Sequence, residues 1–80
     1  MGDKLPDLNG RETRALLDHF TTSWEHARGG GSKVTGSGRR GRFSLDIEHN
    51  TGGIRRDYLK RVLNVIGVSR EEFFAWYERR

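Results

Sequence analysis

Two hydrophobic periods meet in the second half of this chain, and together they restrict its architecture more than any other feature. Phe43, Leu45 and Ile47 alternate with Ser44, Asp46 and Glu48, the period of a strand with one face in a core and one in water. Ile54, Tyr58, Leu59, Val62, Leu63 and Ile66 then repeat at helical spacing, which predicts an amphipathic helix over residues 54–66. A one-sided strand followed by a one-sided helix is buried when the two apolar faces meet. The pattern therefore predicts a layer of helix on a layer of sheet.

The remaining elements follow from local signals. Asn9 and Glu12 have the spacing of a capping box, and Ala15, Leu16 and Phe20, with Leu17 beside them, mark one face of a helix over residues 10–20. Residues 21–28, with two threonines, a serine and Trp24, read as an extended segment. Gly29-Gly30-Gly31 breaks it, and Ser32-Lys33-Val34-Thr35 pairs back as a second strand. Residues 36–41 read as a flexible, basic hairpin tip before the third strand. Gly67 suits the left-handed residue that ends a helix. Ser69 with Glu72 makes a second capping box, with Val68 and Phe73 at its hydrophobic-staple positions, so a third helix is expected over residues 70–78.

The expected fold class is α+β, a two-layer sandwich of order α-β-β-β-α plus a short C-terminal helix. Strands joined by such short connections are antiparallel. The chain of 80 residues reads as one domain, 1–80. It divides into a lead-in at 1–8, a helix at 9–20, a three-stranded sheet at 21–48, a helix at 54–66 and a helix at 69–79.

A chain this short has a core only a few side chains deep. It contains no cysteine, so neither disulfides nor thiolate metal sites can supplement that core. The three histidines lack the paired spacing of a zinc site, and neither metal nor cofactor is expected. Met1-Gly-Asp-Lys leads into polar sequence, and the apolar runs are too short to span a membrane. A cytoplasmic location is therefore expected.

Charge is unevenly spread. From Arg28 to Arg61 there are nine basic and three acidic residues, a net +6 within a chain whose total is +4. A polyanion would be attracted to the middle of this chain, which points to nucleic acid. The candidate contacts are Arg28, Ser32, Lys33, Arg39, Arg40, Arg42, Arg55 and Arg56, expected on the polar sheet face, the hairpin tip and the start of the second helix. The triple glycine reads as a plain turn in preference to a phosphate cradle. Phe73, Phe74, Trp76 and Tyr77 read as core or as a patch for a protein partner in preference to a base-stacking platform.

The ordered set Lys4-Leu5-Pro6, Leu8, Gly10, Glu12, Gly31-Ser32, His49, Ile54, Leu59, Leu63, Gly67, Ser69 and Glu71-Glu72-Phe73 resembles the HicA (YcfA-like) family of bacterial toxins. The resemblance covers residues 4–74 and implies a fold like that of double-stranded-RNA-binding domains. It also implies a metal-independent endoribonuclease that cuts messenger RNA and is neutralised by a HicB-like antitoxin. In that family the second strand opens on Gly-Ser-His and the histidine acts in cleavage; here the tripeptide is Gly31-Ser32-Lys33.

Metal-free RNA cleavage needs one group to take the 2′-hydroxyl proton and another to protonate the leaving oxygen, roles that suit imidazole. An exposed lysine is a poor base at neutral pH but can stabilise a developing negative charge. Lys33 with His26 or His49 is the candidate catalytic set, and His19 is assigned no role. Three readings stay open: a HicA-like ribonuclease, a non-cleaving nucleic-acid-binding module of the same fold, and a protein-interaction unit held by an acidic antitoxin-like partner.

Overall fold

The computed structural model describes residues 4–27 and 32–79. Its elements are α1 (Gly10–Phe20), β1 (Thr21–His26), β2 (Lys33–Gly38), β3 (Gly41–Asp46), α2 (Arg56–Ile66) and α3 (Arg70–Arg79). The strands form one antiparallel sheet in the order β1-β2-β3, and the helices cover one face of it, as the two hydrophobic periods require. The triple glycine and Arg28 lie outside the described residues.

The capping box of α1 is formed: Glu12 N–H donates to Asn9 Oδ1 at 2.8 Å and Asn9 N–H to Glu12 Oε1 at 3.0 Å. The buried face is Thr13, Leu16, Leu17 and Phe20, so Thr13 takes the place expected of Ala15, which is half-buried. No loop separates α1 from β1. Thr21 closes the helix, donating its N–H and its Oγ1 (2.6 Å) to Leu17 O, and is already the first residue of the strand.

Residues 36–38 are not a flexible tip. β2 runs through to Gly38, and the turn is only Arg39 and Arg40 before Gly41, whose φ is 95°. Tertiary crowding explains why glycine stands in the strand. A Cβ at Gly36 would strike the Ser23 carbonyl oxygen and lie 2.8 Å from the Phe43 ring. The free edge of β3 is partly covered, because Asp46 N–H donates to the Tyr58 hydroxyl at 3.3 Å.

The second helix starts two residues later than its periodicity suggests. Ile54 instead forms a bridge with Leu8, its N–H donating to Leu8 O at 2.9 Å and its O accepting from Leu8 N–H at 2.8 Å. Arg55 is extended and its side chain does not cap the helix. The carboxylate of Asp7 does so from a distant part of the chain, accepting Arg56 N–H at 2.7 Å. The lead-in is thus part of the fold, with Leu5 and Leu8 buried. Gly67 ends α2 with φ 75°, and Val68 N–H donates to Leu63 O at 2.8 Å, a Schellman-type closure. Ser69 and Glu72 form the expected box at 3.0 and 3.2 Å. Phe73 follows, completely buried.

The core gathers Leu16, Leu17, Val34, Leu59, Val62, Ile66 and Phe73, all fully enclosed, with Phe43 and Leu45 from the inner face of the sheet. Each such side chain contributes about 1.5–3 kcal/mol. In a chain without cysteine these contacts carry the stability.

Candidate nucleic-acid interface

Directly opposed residues of paired strands share a face of the sheet. The register therefore puts Ser23, Glu25, Lys33, Thr35, Ser37, Arg42, Ser44 and Asp46 on the open face, away from the helices. Lys33 and Arg42 are matched there by Glu25 and Asp46. The open face is polar, as expected, but it is not basic.

The same register separates the catalytic candidates. Lys33 stands opposite Asp46 of β3. His26 stands opposite Val34, a buried residue of the inner face, and its ring lies against Trp24 with centroids 5.7 Å apart. His26 and Lys33 thus point to opposite sides of the sheet. His49 is exposed in the turn beyond the end of β3. Among the described residues no hydrogen bond joins Lys33, His26 and His49. The residue that sequence reasoning overlooked is Asp46, whose place opposite Lys33 depends on a register that no local signal specifies.

The expected nucleic-acid contacts fall at opposite ends of the sheet. Ser32, Lys33, Arg55 and Arg56 lie at one end, and Arg39, Arg40 and Arg42 at the other, about 17 Å away along a six-residue strand. The two turn arginines are drawn to the helix side. Arg39 Nη1 donates to Gly67 O at 3.1 Å and to Glu72 Oε1 at 2.8 Å, and Arg40 Nη1 reaches Asn64 Oδ1 at 3.4 Å. Their stems pass over Gly67, where a Cβ would lie 3.2 Å from Arg39 Cβ and from Arg40 Cγ. The Arg39 hydrogen bond, joined by that of Ser69 N–H, lowers the Glu72 carboxyl to about 2.

The two ends are linked along α2. Arg56, Lys60 and Asn64 recur every four residues and are exposed, and Asn64 accepts the Arg40 contact. Each step of four residues advances about 6 Å along the helix. Two grooves flank this row. One, of about 200 Å3, is lined by Leu5, Lys60, Leu63, Asn64, Val68 and Arg70. The next, of about 280 Å3, shares Leu63, Asn64 and Val68 and adds Arg40. Cations from α2, α3 and the β2–β3 turn therefore border two adjoining grooves that share Leu63, Asn64 and Val68. Lys60 and Arg70, which line the first groove, are not among the contacts expected from sequence. The helical spacing of Arg56 and Lys60, outside the apolar stripe of α2, is the signal that would have found Lys60, whereas the place of Arg70 depends on how α3 packs.

Among the described residues, no group of three or more His, Asp or Glu side chains could hold a metal ion, and no helix is long and apolar enough to cross a membrane. Comparison with protein-family models, curated proteins and solved structures finds no match to this chain. What fold and site define is an α+β domain with a charge-balanced open sheet and a cationic strip along α2 and the β2–β3 turn.

Proposed function

We propose that this chain is a HicA-like RNA-binding unit of a toxin–antitoxin pair, gripping the phosphate backbone along the outer face of α2. The observation that carries the reading is the row Arg56, Lys60 and Asn64, which continues into Arg40 of the β2–β3 turn. Its steps suit a polyanion, and phosphate contacts supply most sequence-independent affinity. Messenger RNA is the substrate class that the family resemblance implies, and a HicB-like antitoxin its partner. Within this reading, binding is better supported than cleavage. Lys33 faces a carboxylate and His26 faces the other way, so the site lacks the paired acid and base of metal-free cleavage.

Titration of a labelled RNA by fluorescence anisotropy at several salt concentrations tests the proposal. Affinity is expected to fall steeply with salt, and Arg56→Gln with Lys60→Gln to reduce the logarithmic slope by about two. Lys33→Ala, on the open face of the sheet, is expected to leave the slope unchanged. RNA binding that is absent or insensitive to salt would overturn the reading. Competition by duplex DNA separates RNA from nucleic acid in general.

A further inference from the structure

A cavity larger than the two beside α2 lies apart from that row. It is a groove of about 460 Å3 between the end of α1 and α3, lined by His19, Phe20, Arg39, Glu72, Trp76 and Arg79. Phe73 already anchors α3 in the core, fully buried, whereas Trp76, three residues on, is half-buried and forms a wall of the groove. The exposed His19 ring lies nearly parallel to Trp76, with centroids 5.9 Å apart and 23° between planes. Phe20 meets Trp76 edge-on at 5.8 Å. The guanidinium of Arg39 is fixed over Phe20 by its bonds to Glu72 and Gly67 O, and Arg79 stands on the last turn of α3.

We infer that this groove holds an unpaired base of the bound RNA, stacked on Trp76 and His19, with Arg79 toward the flanking phosphate. The inference rests on the RNA reading above and adds a subsite to it. Aromatic faces stack on any base, and arginines beside them neutralise the backbone. Charge decides the occupant. The one carboxylate in the groove, Glu72, is already engaged by Arg39, which leaves the positive charge of Arg79 at the rim and favours an anionic strand over an acid-poor peptide. The rim also adjoins Arg40, so a strand leaving the α2 row passes the mouth of the groove.

Trp24→Phe leaves Trp76 as the sole tryptophan. This variant would be titrated with end-labelled hexa-adenylate and with an abasic strand of equal length, following label anisotropy and Trp76 emission together. Hexa-adenylate is expected to quench Trp76 with the same midpoint as the anisotropy change, and the abasic strand to bind without quenching. His19→Ala and Arg79→Gln, both at exposed positions, should weaken hexa-adenylate binding about tenfold while the melting temperature stays within a few degrees. Binding without quenching, the result if the groove is reserved for a protein partner, would overturn the subsite and leave the RNA reading standing. Equal quenching by the abasic strand would also overturn it. No anisotropy change with either strand would overturn both.

Discussion

Arg39, in the turn between β2 and β3, donates to Glu72 in the first turn of α3 across 2.8 Å, and the same carboxylate oxygen accepts the N–H of Ser69 at 3.2 Å. One side chain thus completes a helix cap and ties the hairpin to the C-terminal helix.

The pH dependence of that tie has a definite sign. Glu72 falls from an ordinary 4.5 to about 2 in the folded chain, chiefly through the Arg39 hydrogen bond. Its contribution is therefore fully present above about pH 4.5 and is lost as pH falls toward 2. Both side chains are nearly half exposed, at 49% and 42%, so solvent screening keeps the effect small. Glu72→Gln should lower the melting temperature by a few degrees at pH 7, and the gap from wild type should shrink below about pH 4.5 and close as pH reaches about 2. A gap that stays constant with pH would show that the charge contributes nothing.

Two glycines in the same hairpin should respond differently to alanine. Gly36→Ala drives a methyl into the Ser23 carbonyl and the Phe43 ring and should cost about 3 kcal/mol or prevent folding. Gly41 has open space around its Cβ position but a φ of 95°, so Gly41→Ala should cost about 1–2 kcal/mol. Urea denaturation followed by tryptophan fluorescence measures both, and equal costs would contradict the crowding argument.

Thr13 is 2% exposed, and its hydroxyl has no hydrogen-bond partner. Thr13→Val keeps the shape and removes an unsatisfied polar atom, so stability should rise by about 1 kcal/mol. A loss in the urea midpoint would mean that the hydroxyl is satisfied.

Asp7 caps a helix 49 residues away. Asp7→Ala should destabilise the fold by about 1 kcal/mol and speed amide exchange in the first turn of α2 ahead of the last. Uniform exchange along α2 would argue against a capping role.

Lys33→His would place an imidazole opposite Asp46, a carboxylate able to orient it. On the HicA-like reading this variant should cleave RNA in chelator at least about 100-fold faster than wild type. No gain would count against a nuclease ancestry for the site.

Features written within a few residues of one another are legible in the sequence itself. Asn9 with Glu12, Ser69 with Glu72, the left-handed Gly67 and the alternation from Phe43 to Ile47 are each settled by bonds or sterics along one stretch of chain. Where distant segments compete for the same residues, local signals mislead. Ile54 has helical spacing from Tyr58 but is taken by Leu8, and Gly36 looks like a loop residue but is required by Phe43 and Ser23 from neighbouring strands.

The interface divides the same way. Sequence alone determined that this chain carries a cationic middle and an α+β fold, because charge and hydrophobic period are properties of the chain. Only the tertiary structure decided which cations share a surface. The side-chain period is two in a strand and 3.6 in a helix, so register and helix phase set each arginine's direction. The sheet face became neutral because Lys33 and Arg42 share it with Asp46 and Glu25. The strip along α2 became cationic because Arg40 folds back onto Asn64, one turn beyond Lys60.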